Sequence, residues 1–349
     1  MQAEPAFRTR HANPYNALLY EHLQERGAHV EELSLRRLVL APPDVVHVHW
    51  PELTFLSGRR WWRTAWRVGS FALALAVARA RRGTALVWTV HNLAPHERSA
   101  GDLQHRLFWR HFPPRLDAFL TLTEAAVASA REAHPALAGV PAAVTPHGDY
   151  RDEVDRSLSR AAAREATGLP AGAPVLLFAG QVRGYKRVPE LLRTFAGTDD
   201  PSARLVVAGS VPAGAAREEL EALAAQDPRV LLDLGFLPAD RLSRWLRAAD
   251  LVVLPYSAVL NSGAALLALS ADRPVLAPAL GALPELQADV GAQWLRTYSG
   301  DLTAAALQEA LAWARTTARG PEPDLSGHAW PLVARLTEDA FTRLRLPQR

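Results

Sequence analysis

The chain has no cysteine among its 349 residues. That excludes disulfides and every metal site built on thiolates. Lysine occurs once, at Lys186, and every other basic side chain apart from histidine is arginine. The formal charge is only +3. The isoelectric point near 9.6 reflects arginine dominance, a composition typical of GC-rich coding sequence, so no nucleic-acid partner is expected. No apolar run is long enough to span a bilayer, and the opening Met1 to Pro5 lacks the apolar core of a signal peptide. A soluble, cytoplasmic protein is expected. No two glycines are spaced G-x-G and no P-loop pattern occurs. Both the dinucleotide fingerprint and the NTPase phosphate loop are therefore missing.

What remains is a chain of two-domain length with 49% hydrophobic residues. Apolar runs alternate with amphipathic stretches, the pattern of helices covering parallel sheets. In the first half, strands are expected at 29–33, 45–50, 85–90, 116–122 and 140–144, with residues 6–9 as a poor first strand. Asn13-Pro14-Tyr15 opens a helix, with Asn13 as its N-cap and Gly27 beyond its end. Alternation lapses over 151–172, which reads as a linker between a first domain, 1–150, and a second, 173–325. Strands are then expected at 174–179, 204–208, 229–233, 251–254 and 274–277. Residues 326–349 read as a closing helix.

The most informative stretch is Leu176 to Leu192, LLFAGQVRGYKRVPELL. A buried strand stops at Gly180, a polar loop carries Arg183 and Lys186, and Pro189 stands at the start of a helix. The carboxyl end of a parallel strand is where open α/β sheets bind ligands. Two cations beside a helix N-terminus suit a phosphate. A second cradle follows the 251–254 strand: Tyr256, then Asn261-Ser262-Gly263 opening a helix, with cap residues and a glycine that admits close approach to the backbone.

F-x-G-x-x-R-x-Y-K before an apolar helix resembles the diphosphate loop of nucleotide-sugar glycosyltransferases of the GT-B fold. The bacterial members of glycosyltransferase family 4 (group 1) are the nearer resemblance. The run LNSGAALLALS followed by Arg273-Pro274-Val275 is similar to their donor-site helix. The resemblance implies an α/β, GT-B architecture: two Rossmann-like domains with parallel sheets facing across a cleft, and a last helix crossing back to the first domain. It implies a donor, a nucleotide-diphosphate sugar, held by the second domain. Arg183 and Lys186 would neutralise the leaving diphosphate, and Gly180, Gly209, Gly235, Phe236, Tyr256, Asn261, Ser262 and Gly263 would line the donor. No D-x-D occurs, so the metal-diphosphate signature of the other main glycosyltransferase fold is missing. Metal-independent transfer without a cofactor is expected.

The sequence departs from the family at one place. Two glutamates that usually grip the donor sugar and ribose fall at Val259 and Leu267 here. Retention of configuration, which the family implies, is expected with that pair lost. Two alternatives stay open: a degenerate protein that binds nucleotide sugar without turnover, and a sugar-nucleotide epimerase.

In the first domain His91-Asn92 ends a strand at the place of the family's acceptor-side histidine. A histidine near neutral pKa can bond a sugar hydroxyl or a leaving phosphate. Glu97 is the best-placed base should the reaction invert, and His147 lies on a neighbouring loop. His47 and His49 share one strand face and read as satisfied core histidines.

The acceptor is expected to be a glycan or lipid-linked glycan, with peripheral contact at the inner membrane face through 55–67, FLSGRRWWRTAWR. On a helix over 59–82, Trp62, Trp66, Gly69, Leu73, Ala76 and Ala80 form one stripe. That stripe is either the core face or an interfacial one, since tryptophan and arginine favour anionic lipid surfaces.

Overall fold

The computed structural model describes residues 1–56, 60–93 and 101–345. The chain divides into two compact units, Met1–Gly148 with His328–Arg349, and Asp149–Gly327.

In the first unit the elements run β1 (Gln2–Glu4), α1 (Tyr15–Glu25), β2 (Glu31–Glu32), α2 (Leu35–Leu40), β3 (Val45–Val48), α3 (Pro51–Phe55), α4 (Trp61–Arg82), β4 (Ala85–Thr89), α5 (Asp102–His111), β5 (Ala118–Thr121), α6 (Glu124–Ala133) and β6 (Ala142–Val144). The strands form one parallel sheet in the order β2-β1-β3-β4-β5-β6. The first strand lies upstream of the expected 6–9. Gln2 and Glu4 are polar but buried. Ser34 N donates to Gln2 Oε1, while Arg8 and Thr54 meet the Glu4 carboxylate. Residues 6–8 form a loop instead, because their amides donate to the Glu32 carboxylate at 3.1, 2.7 and 2.8 Å. Hydrophobicity cannot reveal a strand whose inward groups are satisfied this way.

Helix α4 settles which way the tryptophan stripe faces. Thr64, Phe71, Ala74, Leu75 and Ala78 are its buried residues. The stripe from Trp62 to Ala80 is exposed throughout, with Trp61 at 69%, Trp62 at 50%, Trp66 at 74% and Leu73 at 69%. The core reading of that stripe is therefore wrong. The opposite face was already apolar enough to bury. Phe71 of α4 and Phe108 of α5 both pack on Phe55, at ring-centroid distances of 4.8 and 5.8 Å.

The second unit contains α7 (Arg160–Thr167), β7 (Val175–Ala179), α8 (Val188–Ala196), β8 (Arg204–Gly209), α9 (Ala215–Ala225), β9 (Val230–Leu234), α10 (Ala239–Ala248), β10 (Leu251–Val253), α11 (Gly263–Ser270), β11 (Val275–Pro278), α12 (Leu283–Val290), β12 (Leu295–Tyr298) and α13 (Ala304–Thr316). Its sheet is also parallel, ordered β12-β11-β10-β7-β8-β9. β12 had no counterpart in the sequence reading. The segment 151–172, expected as a linker, is instead built into this unit. Buried Arg164 of α7 pairs with Asp250 at 2.8 Å and donates to Ala248 O. Asp250 also accepts from Val175 N at 2.8 Å. One arginine thus ties α7 to the starts of β7 and β10, and breaking such a buried pair costs about 3–5 kcal/mol.

The last helix, α14 (Trp330–Arg345), belongs to the first unit. Trp330 meets Tyr15 at 5.4 Å, and Phe341 meets His47 at 5.3 Å. Gly148 makes room for it: a Cβ there would stand 2.3 Å from the Trp330 ring.

Candidate active site

In the second unit β7 is flanked by β10 on one side and β8 on the other, so the connections leave in opposite directions. Such a switch point opens a crevice at the carboxyl ends of the strands. The residues picked out from sequence collect at this edge. Gly180 follows β7, Gly209 ends β8, Gly235 follows β9 and Tyr256 follows β10. Gly209 has φ +147°, and a Cβ on it would lie 2.0 Å from Gly180 O. Only glycine allows the two loops to run this close.

Lys186 closes a single 3-10 turn, Gly184–Lys186, just before α8. Its Nζ lies 5.4 Å from the Tyr256 ring, 5.9 Å from Phe178 and 6.0 Å from Tyr185. Loss of hydration, with Arg183 as the smaller cause, lowers its pKa to about 8. It remains a cation at pH 7, and an anion placed beside it would restore what burial removes. Arg183 is held by Gln181, whose Oε1 accepts from Nε and Nη2 at 3.2 and 3.0 Å. Ser257 N donates to Tyr185 O at 2.8 Å, joining the loop after β7 to the loop after β10.

The second cradle forms as expected at its cap: Ser262 Oγ accepts from Ala265 N at 3.2 Å and opens α11 at Gly263. Asn261 and Gly263 are half-buried beside it. Gly281, missed in the sequence, holds this loop in place. A Cβ on Gly281 would meet Val259 O at 2.1 Å, and Ala282 N donates to Leu260 O. Phe236 is 67% exposed at the same edge.

The first unit places a histidine cluster at the carboxyl end of its own sheet. Tyr15, from the Asn13-Pro14-Tyr15 start of α1, touches the rings of His91 at 5.0 Å, His147 at 4.7 Å and His49 at 6.1 Å. Trp50 stacks on His91 at 4.6 Å. Desolvation depresses His91, His49, His47 and His147, the last two to about 3 and 4. These imidazoles are neutral at pH 7, so His91 can form hydrogen bonds but carries no charge. Asn92 follows at the same edge, half-buried, while Glu97 lies outside the described residues. His147 Nδ1 is turned to Gly148 O at 2.7 Å.

The sequence reading passed over Tyr15, Trp50 and Glu52. Glu52 lies in the first turn of α3, just after the His49-Trp50 segment that follows β3, and desolvation raises its carboxyl to about 7. Its signal was the W-P-E order, a carboxylate in the first turn after a strand.

The family described as Glycosyl transferases group 1 matches residues 173–314, the stretch that carries the loops after β7 and β10. Over 324 residues the chain is 33% identical to the GDP-mannose:glycolipid 4-beta-D-mannosyltransferase of Xanthomonas campestris pv. campestris, covering 93% of this chain and 86% of that one. It is 31% identical over 270 residues to a D-inositol 3-phosphate glycosyltransferase of Saccharomonospora viridis, covering 69% of this chain and 55% of the relative. Among solved structures, sucrose-phosphate synthase from Thermosynechococcus elongatus superposes with a TM-score of 0.69 at 18% identity, over 98% of each chain. WaaG, a glycosyltransferase involved in lipopolysaccharide biosynthesis, gives 0.63 at 19% identity, over 99% of this chain and 100% of its own. At those identities the likeness is one of fold. With two parallel six-stranded sheets and this set of relatives, the chain belongs to the group 1 glycosyltransferases and has the GT-B fold.

Proposed function

We infer that the protein transfers a glycosyl residue from a nucleoside diphosphate sugar to a hydroxyl of a lipid-linked glycan. One observation carries the donor side: the chain's single lysine is held among Phe178, Tyr185 and Tyr256 at the switch point of the second sheet. In this reading Lys186 and Arg183 meet the diphosphate charge, helped by the α8 and α11 N-termini, and no metal is needed. Backbone at Gly180, Gly209 and Gly235 approaches the nucleotide, and Phe236 offers its ring to the base. Tyr256, Asn261, Ser262 and Gly263 face the sugar phosphate. His91, Asn92 and His147 serve the acceptor.

The family pattern implies retention, but inversion has the better support. Val259 and Leu267 supply no carboxylate at the donor sugar. The 33% relative is named for a β-linkage made from GDP-mannose, whose mannose is α-linked. Inversion needs a base for the acceptor hydroxyl, and Glu52, poised near pH 7, fits that task.

The membrane is reached through α4. Trp61, Trp62 and Trp66 are exposed beside Arg60, Arg63 and Arg67. On α5, Leu103 and Leu107 are exposed beside Arg106 and Arg110. No described helix is long and apolar enough to cross a membrane, so contact would be peripheral.

The test is incubation with GDP-mannose and a panel of UDP-sugars, with polyprenyl-diphosphate-linked glycans as acceptors, followed by NMR of the product's anomeric centre. A new β-glycoside from an α-linked donor, formed in EDTA, supports the reading. An α-glycoside would overturn inversion, and loss of turnover in EDTA that Mg²⁺ restores would overturn metal independence.

A further inference from the structure

His47 of β3 and His49, the first residue beyond it, both meet one phenol, Tyr20 of α1. The Tyr20 hydroxyl lies 2.8 Å from His47 Nδ1 and 2.5 Å from His49 Nε2. At one end His47 Nε2 meets Thr89 Oγ1 at 2.7 Å. At the other, His49 Nδ1 meets His91 Nε2 at 2.8 Å. Tyr20, His47, His49 and Thr89 are all at most 1% exposed. This is an unbranched chain of five groups leading from the interior to His91.

Proton counting makes the chain more than packing. A phenol carries one hydrogen, so Tyr20 donates to one imidazole and accepts from the other. A neutral imidazole also carries one hydrogen, on either Nδ1 or Nε2. Each choice fixes the next, and the whole chain has two self-consistent registers. In the first, Thr89 donates inward and every hydrogen points towards His91. His91 Nε2 then accepts, and its hydrogen sits on Nδ1. In the second, every hydrogen points away, His91 Nε2 donates to His49, and Nδ1 carries the lone pair. One register makes Nδ1 a donor, the other an acceptor.

We propose that Tyr20 and His49 are positioning residues that couple the tautomer of His91 to that of the buried His47. The proposal rests on the reading of His91 as an acceptor-side group only for its effect on rate. The burial that keeps all three imidazoles neutral is what lets a tautomer, rather than a charge, be transmitted.

The experiment is ¹⁵N imidazole NMR on the full-length chain, paired with kinetics using whichever donor and acceptor turn over. In the unmodified protein His47, His49 and His91 should each show a single neutral tautomer, with a nitrogen–nitrogen coupling across the His49–His91 hydrogen bond. Tyr20→Phe keeps the ring but removes both bonds of the hydroxyl. It should leave His49 as a tautomer mixture no longer coupled to His47 and lower kcat about ten- to a hundredfold at unchanged donor KM. Averaged tautomers in the unmodified protein would overturn the proposal, as would a Tyr20→Phe variant with wild-type spectra and kcat. His91→Asn separates the two ideas. Full activity there refutes the role of His91 and leaves the spectra to decide on the coupling. An inactive His91→Asn beside a fully active Tyr20→Phe refutes the coupling alone.

Discussion

Replacing Trp66 by alanine sets the two readings of α4 against each other. Trp66 is 74% exposed. Taking about 250 Å² for a tryptophan, roughly 65 Å² is buried by the protein and about 185 Å² is open. At about 25 cal/mol per Å², the buried part is worth about 1.6 kcal/mol at most, and the better helix propensity of alanine returns about 0.5 kcal/mol. The variant should therefore lose only about 1 kcal/mol of stability, against the roughly 3–5 kcal/mol of a core tryptophan. Covering the open part completely would release about 4.6 kcal/mol, and half of that at an interface is about 2.3 kcal/mol, near fiftyfold in partitioning. The assay is sedimentation with vesicles containing anionic lipid, alongside thermal unfolding. Raised salt should weaken the wild type, because Arg60, Arg63 and Arg67 meet head groups through screened charge. Partitioning equal to wild type would refute the membrane reading. A loss of several kcal/mol in stability would refute the exposed placement of α4.

Other outcomes follow from the two sheet edges. Lys186 has a pKa near 8, so nucleoside diphosphate affinity should fall as pH rises from 7 to 9, read by calorimetric titration. An affinity flat across that range would count against Lys186. Glu52→Gln should abolish turnover while leaving nucleotide binding intact, and the wild-type rate should rise through pH 7 as the carboxylate forms. A fully active variant would remove Glu52 as the base. His47 is neutral when folded, with a pKa of about 3 against about 6.5 when unfolded, so only the unfolded chain takes up its proton below pH 6.5. Stability should fall with acid, by about 2 kcal/mol at pH 5 from His47 alone, and His49, His91 and His147 add in the same direction. Glu52 acts in the opposite sense, so denaturant titration belongs in a Glu52→Gln background. A stability unchanged from pH 7 to 5 there would contradict the neutral chain.

The loops after β7 and β10 were legible because their geometry is local. Gly180, Arg183, Lys186 and Ser262 sit where strand, turn and helix follow one another in sequence. Pairings between distant segments were not legible. Glu32 folds the 6–8 loop from another part of the chain, and that is why β1 was sought too late. Arg164 stands in the segment read as a linker, and its buried partner, Asp250, is 86 residues further along the chain. The α4 stripe shows the limit of periodicity. The helix is apolar on two faces, and the pattern says which residues align without saying which face the sheet covers. His47 and His49 were read as satisfied core groups, and the structure satisfies both. Their common partner, Tyr20, lies at a sequence distance no spacing rule reaches.

Calorimetric titration of UDP and GDP into the wild type and Lys186→Ala tests the role of Lys186 at the second sheet edge most directly. At least one nucleotide should bind the wild type, and the variant should lose about 1.5–3 kcal/mol, or roughly ten- to a hundredfold in affinity, for one charge-assisted contact. Equal affinity in both proteins would contradict the assignment of this edge to the donor diphosphate.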